Sequence, residues 1–313
     1  MSVVLVEIRR GGVVEGVHRG HAVVIDAEGR VVRAWGDPDA AILPRSANKP
    51  GQAAAMLRAG APLNGELLAL SAASHSGEEF HVAGVRRILA LADLDESALL
   101  TPPELPIDDA VRTRALRGGA EPSRISMNCS GKHAAMLLTC RVNDWPLDSY
   151  VDPEHPLQRA IRAEITDLAA EEPWAAAVDG CGAPVFGLSL IGLARLGSTC
   201  VQADRDSAPR RVAEAMSAHP PWVAGTQRDA TALSRSLPGA LVKEGAEAVY
   251  LVALPDGTTV ALKIDDGANR ARPVAMAGIL RAIGVDNDVV EEQACQVLLG
   301  GGRPVGEIVP AVA

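Results

Sequence analysis

The chain has 313 residues, 48% of them hydrophobic and 22% charged, the balance of a globular protein with material for a sizeable core. A net charge of −9, a pI near 5.3 and 3% aromatic residues speak against nucleic acid or an anionic membrane as partner. No apolar run approaches the roughly 20 residues a bilayer requires, and Glu7 follows the short apolar start, unlike a signal peptide, so a cytoplasmic location is expected.

Residues 3–8, 13–17, 21–26 and 31–35 read as strands, the last two joined through Ala27-Glu28-Gly29-Arg30, a hairpin signal. Asp37-Pro38-Asp39 ends this section. From there to about residue 220 the pattern is mostly helical: 51–59, 66–73, 78–94, 132–141, 155–168, 184–196 and 209–217. Val82, Val85, Ile88, Leu89 and Ala92 carry the helical spacing most clearly. Pro102, Pro103 and Pro106 make residues 96–125 largely loop.

The last quarter returns to β. Residues 248–254 and 258–264 flank Pro255-Asp256-Gly257 as a second hairpin, helices follow at 273–283 and 288–298, and 305–309 read as a final strand. Gly300-Gly301-Gly302 is followed by no Lys-Ser/Thr and opens no helix, so it is not read as a phosphate loop. The expectation is an α+β fold forming one compact unit over 1–313. An antiparallel sheet lobe takes about 1–40 and 245–313, and a helical insertion forms a second lobe over about 45–240.

Chemistry concentrates in a few short stretches. In Arg45-Ser46-Ala47-Asn48-Lys49-Pro50, Ser46 and Lys49 share one face of a helical turn. A hydroxyl becomes a useful nucleophile when an amine made less basic by burial or a neighbouring cation can take its proton. The plain alternative is a capping serine and a solvated lysine. Ser74-His75-Ser76-Gly77-Glu78 reads either as an N-cap cluster completed by Glu78 or as a substrate-facing turn.

Five cysteines, at 129, 140, 181, 200 and 295, argue against a disulfide framework. Cys140, Cys200 and Cys295 read as small hydrophobes. Cys129, in Asn128-Cys129-Ser130-Gly131-Lys132-His133, and Cys181, in Asp179-Gly180-Cys181-Gly182-Ala183-Pro184, stand in glycine-bearing turns expected to start helices, where thiol pKa values fall. Lys132 could ligate a metal only as the neutral amine. Lys263, in Leu262-Lys263-Ile264-Asp265-Asp266-Gly267, faces either solvent or the helical lobe, where it would be a second amine for Ser46 or Ser74.

Taken in order, these five stretches resemble the rhizobial-type L-asparaginase II family, and the likeness runs from Gly11-Gly12-Val13-Val14-Glu15 to Val305-Gly306-Glu307-Ile308. The resemblance implies a fold like that of serine β-lactamases and glutaminases, and hydrolysis of L-asparagine to L-aspartate and ammonia. It implies Ser–Lys tandems, Ser46 with Lys49 and Ser74 with Lys263, and a zinc site formed by Cys129, Lys132 and Cys181 beside Asp179. Arg45 and His133 would line the same pocket with Asp179, and the protein would be a homodimer. One departure stands out: Asp229 follows Arg228 where the family usually has an aromatic residue.

The expected mechanism is acyl transfer. Ser46 attacks the side-chain amide with Lys49 as base, Ser74 and Lys263 relay protons, and water opens the ester. Penicillin-binding or β-lactamase chemistry is the runner-up, although the chain holds neither Ser-Asp-Asn nor Lys-Thr-Gly. A non-enzymatic zinc-containing amino-acid binding protein is the third reading.

Overall fold

The computed structural model describes residues 1–312. Strand β1 (Val3–Arg10) turns through Gly11 and Gly12, both at positive φ, into β2 (Val13–Ile25), and Asp26–Arg30 leads to β3 (Val31–Trp35). After β4 (Ala41–Ile42), a 3-10 turn over Arg45–Asn48 runs directly into α1 (Lys49–Arg58), with Pro50 in its first turn, where the missing N–H is not needed. Helices α2 (Gly65–Ser71), α3 (Glu79–Leu91), α4 (Asp109–Arg117), α5 (Ser130–Val142) and α6 (Pro156–Ala169) follow.

A β5 (Ala175–Val178) and β6 (Pro184–Ser189) hairpin pairs with β4 in a small sheet. Next come α7 (Leu190–Gln202), α8 (Ala208–Ala218), α9 (Pro220–Val223) and α10 (Asp229–Ser236). The chain closes with β7 (Leu241–Gly245), β8 (Val249–Ala253), β9 (Thr259–Ile264), α11 (Ala271–Ala282), α12 (Asp288–Gln293), β10 (Gln296–Gly300) and β11 (Arg303–Pro310).

The main sheet has the order β10-β11-β1-β2-β9-β8-β7, with β3 also paired to β2, and every pairing is antiparallel. Its central strands are buried on both faces. Val23, Ile25, Leu251 and Ala261 pack against the helical lobe, while Val24, Tyr250, Val252 and Leu262 pack against Leu233, Val274, Ile279 and Val290 from α10, α11 and α12. The α+β architecture, with a sheet drawn from both chain ends and helices between, is the expected one.

Local differences have local causes. Residues 184–189 form a strand rather than the start of a helix. Gly187 lies where an added Cβ would come within 2.5 Å of the Trp174 ring, a close approach that lets the β5–β6 pair close under that indole. Asp108, whose side chain accepts from the backbone N–H groups of Ala110 and Val111, starts α4 inside the expected loop. The helix expected over 288–298 ends at Gln293 and gives way to β10. Strand β7 is additional, because Lys243-Glu244 interrupts the apolar pattern that marks its neighbours.

Candidate active site

The site lies where the 3-10 turn, the loop after α2, the start of α5 and the end of β7 converge. Two glycines permit that convergence. At Gly245 an added Cβ would stand 2.7 Å from the Pro44 carbonyl oxygen and 3.2 Å from the Ala47 nitrogen, so β7 can lie directly against the turn carrying Ser46. At Gly131 it would stand 2.6 Å from the Leu70 carbonyl oxygen, so α5 begins in contact with α2. The loop between them is held extended: Ser74 N donates to Val223 O (2.9 Å), His75 N to Asn128 O (3.0 Å) and Ser76 N to Ala224 O (2.7 Å). Glu78 completes a capping box with His81 and also accepts from Thr226 N at 2.7 Å and Thr226 Oγ1 at 2.9 Å.

At the centre stands Ser74, which is buried. Lys49 Nζ donates to its Oγ at 3.1 Å and Lys243 Nζ at 3.0 Å. Lys49 also donates to Ala73 O (2.5 Å) and to Cys129 Sγ (3.0 Å), and Lys243 to Glu244 O (2.7 Å). Both lysines are fully buried. Burial pushes the Lys243 amine down to about 7, against the opposing pull of the Glu244 carboxylate and with help from the charge of Lys49. Glu244 is itself buried, which raises a carboxyl, yet Lys243, Arg228 and Arg272 outweigh this and hold it down at about 2. Ser46 Oγ has no hydrogen-bond partner among the described residues, and its residue retains 8% exposure.

Two expected pairings therefore change. Lys49, three residues from Ser46, turns its amine to Ser74. Lys263 does not hydrogen-bond Ser74: its Nζ bonds the Ile264 carbonyl oxygen, and it lines a cavity of about 400 Å³ with His21, Glu247, Asp265 and Arg45, the residue before Ser46. The reason lies in the sheet. Lys243 pairs with Leu251, which pairs with Ala261, whereas Lys263 pairs with Val249 and His21, one row along the same face. Strands β7 and β9 are two apart, or roughly 9–10 Å, too far for the lysine at 263 to reach that serine. Sequence reasoning missed Lys243; the signal open to it was a charged pair following Leu241-Val242 before a glycine.

Beside Ser74, Cys129 occupies the N-cap position of α5 without a side-chain cap hydrogen bond, while Cys181 occupies the β5–β6 turn rather than a helix start. Lys132 Nζ donates to Cys181 Sγ at 3.3 Å, and all three side chains are buried. The hydrogen bond from Cys129, together with the nearby Lys132 and His133, holds the Cys181 thiol far below its usual range despite burial; the same contact and burial push Cys129 up. Burial opposes charge on Lys132, but Cys181, Cys129 and Asp179 overcome it and raise its pKa.

His133 Nδ1 lies 2.8 Å from the Tyr150 hydroxyl, which already accepts from Leu100 N. That places the Tyr150 proton on the bond to Nδ1 and the imidazole proton on Nε2, which is buried; the ring also interacts with the Cys181 sulfur. Burial lowers the His133 pKa, with Cys181 opposing. Arg45 sits at φ +51, a conformation unusual for a side chain of its size, and its Nε donates to Asp179 Oδ1 at 2.7 Å. Asp179 Oδ1 also accepts from Gly180 N at 2.8 Å. Cys129 thus connects to Ser74 through Lys49, with Cys181, Lys132 and His133 behind it, while Arg45, next to Ser46, bonds Asp179 and also lines the cavity that holds Lys263.

The model of the L-asparaginase II family matches residues 6–310. The chain belongs to the L-asparaginase II family, whose members are hydrolases of amides. No match to a curated protein was found. Among solved structures the chain is similar to Mglu in its native form, at 16% identity and TM-score 0.45, covering 91% of this chain and 69% of that one. It is also similar to a β-lactamase from Mycobacterium bovis at 14% identity and TM-score 0.46, covering 84% and 94%. A third likeness is to EstCE1, a hydrolase with promiscuous acyltransferase activity, at 13% identity and TM-score 0.43, covering 82% and 92%. Among the described residues no helix is long and apolar enough to cross a membrane.

Proposed function

We propose that this member of the family hydrolyses L-asparagine to L-aspartate and ammonia through an ester on Ser46. The observation that carries the reading is the buried array Lys49 Nζ–Ser74 Oγ–Lys243 Nζ, with contacts of 3.1 and 3.0 Å, while the turn bearing Ser46, whose own hydroxyl is uncommitted, packs against Gly245 two residues from Lys243. Ser74 Oγ accepts from both amines, which suits it to pass a proton and leaves it no free lone pair for attack. Ser46 Oγ has its lone pairs free.

In the proposed sequence Ser46 attacks the side-chain amide carbon and gives its proton to the array. Lys243, lowered to about 7, is the member least costly to hold neutral near neutral pH. The carbon–nitrogen bond breaks as the array returns the proton to the departing ammonia. Water then adds to the ester, again losing a proton to the array, and aspartate leaves with Ser46 restored. Arg45 and Asp179, already paired, would orient the substrate's α-carboxylate and α-ammonium groups, with His133 closing the wall.

The resemblance implies zinc, and the neighbouring donors meet only part of what it needs. Cys129 and Cys181 offer two sulfurs, while Lys132 would join them only as the neutral amine, against the raised pKa it has beside Cys181; among the described residues no cluster of three or more His, Cys, Asp or Glu side chains is placed to hold a metal. Bound there, the metal would supply a fixed positive charge that keeps both thiols deprotonated and holds the wall of the site rigid. The resemblance also makes a homodimer the expected assembly, and exposed valines and leucines on β1's neighbouring hairpins give it a surface.

A coupled ammonia assay with L-asparagine and L-glutamine, on wild type and Ser46→Ala, tests the reading. Release from asparagine that is lost in Ser46→Ala, with an aspartyl adduct of the wild type trapped on Ser46 by mass spectrometry, is the expected result. Turnover surviving in Ser46→Ala, or an adduct on Ser74, would reverse the assignment. Metal content of the same preparations, against a Cys181→Ser variant, reads the zinc site separately.

A further inference from the structure

A cleft of about 730 Å³ lies outside the site, on the opposite face of the sheet between α10, α11 and α12, and nothing in the proposed chemistry uses it. Arg228, Arg270 and Arg272 line it against the carboxylates Asp229 and Glu292, so the cavity carries an excess of positive charge in a chain whose net charge is −9. Arg272 forms its inner wall. That side chain is 6% exposed, its guanidinium holds Asp229 through Oδ1 and Oδ2 at 2.7 and 2.8 Å, and it lies 5.0 Å over the Tyr250 ring. Its Nε is buried with no hydrogen-bond partner, as is the Oε1 of Gln293, another lining residue. The Nε itself is closed off from the cavity, so what Arg272 presents there is the charge of its guanidinium.

The backbone adds to the same field. Helices α10 and α11 both begin at this cavity, with Arg228 and Arg270 at their N-cap positions, and neither N-cap side chain caps its helix. The first-turn N–H groups of a helix lack intrahelical partners, and the helix dipole favours negative charge there. Arg270 is exposed and commits only its Nε, to His18 Nε2 at 3.2 Å, so its terminal nitrogens are open to the cavity. Asp229, the residue that departs from the family's usual aromatic, is spent on Arg272 and does not neutralise Arg270.

We propose that this cavity binds a small oxyanion carrying at least two negative charges, held by Arg270, Arg272 and the starts of α10 and α11. Carboxylates and phosphates both present pairs of oxygens that a guanidinium grips bidentately. The ligand would sit beside Arg228, whose Nη2 donates to Glu244 Oε1 at 3.2 Å; Glu244 Oε2 is in turn 3.7 Å from Lys243 Nζ.

The test is titration calorimetry of the full chain with succinate and, separately, inorganic phosphate, on wild type, Arg270→Ala and Arg270→Glu. Saturable binding of at least one anion by wild type is expected, weakened about tenfold or more in Arg270→Ala and abolished in Arg270→Glu. The anion that binds identifies the ligand class. Arg270 is on the surface and outside the candidate active site, so an unchanged melting temperature and unchanged turnover show that the variants are folded. No saturable binding of either anion, or equal affinity in Arg270→Ala, overturns the proposal. The measurement needs no turnover, so its failure would leave asparagine hydrolysis standing, and the reverse holds as well.

Discussion

Lys243 Nζ lies 3.0 Å from Ser74 Oγ, while Lys263, on the next hairpin strand but one and on the same face of the sheet, bonds only the carbonyl of Ile264. Replacing each lysine by methionine separates their roles without removing bulk. Lys243→Met is expected to lose about 10²–10⁴-fold in kcat/KM, the range of a positioned acid–base group. Lys263→Met is expected to stay within about threefold, as for a group that touches no reacting atom. Ammonia release at fixed pH decides it, and equal losses in the two variants would contradict the arrangement.

The pH dependence follows from the direction of one shift. Burial lowers Lys243 to about 7, so its amine is protonated below that pH and free to accept above it. Activity should rise with pH through an acid limb near 7. Glu244 opposes the lowering, so Glu244→Gln, which removes that charge, should move the limb to lower pH and raise the activity at pH 6 relative to the plateau. A kcat/KM profile of the two proteins measures this. A limb that moves upward in Glu244→Gln would mean that another group titrates.

Gly245 tests the placement of the Ser46 turn. With an added Cβ standing 2.7 Å from the Pro44 carbonyl oxygen, Gly245→Val must push β7 and the turn apart. The expected cost is about 1–3 kcal/mol of stability, typical of overpacking. Activity should fall further than a folded-fraction correction explains, because Ser46 moves with Pro44. Urea unfolding alongside the ammonia assay reads both quantities.

The four neighbouring strands β10, β11, β1 and β2 leave apolar side chains in solvent: Val14 is 50% exposed, Val297 55% and Leu299 63%. Strand β10 is also an edge, with unpaired backbone groups along one side. A second copy of the chain is the expected cover. Sedimentation should give a dimer for wild type and a shift towards monomer for Leu299→Glu combined with Val297→Lys. A wild-type monomer at every concentration would remove the homodimer from the reading.

Much of this protein is legible in one dimension. Alternation and turn residues mark β1 to β3 and the β8–β9 hairpin, the spacing of Val82 to Ala92 marks α3, and the Ser46, Ser74, Cys129 and Asp179 stretches announce themselves by small, polar and ionisable residues at element boundaries. These are local signals, and local physics produces them: hydrophobic period, capping and glycine conformations. Strand β7 escaped because Lys243 and Glu244 are buried charges, and a buried charge looks like an exposed one until its partners are known.

The choice between two lysines belongs to the tertiary structure. Lys243 and Lys263 each follow an apolar strand residue and precede a glycine, by two positions and by four, and nothing in those neighbourhoods ranks them. Which one meets Ser74 depends on the order β9-β8-β7, on a register that puts Lys243 opposite Leu251, and on Gly245 letting the Ser46 turn settle against that edge. Residue types fixed which chemistry was available; the distance between strands chose the amine.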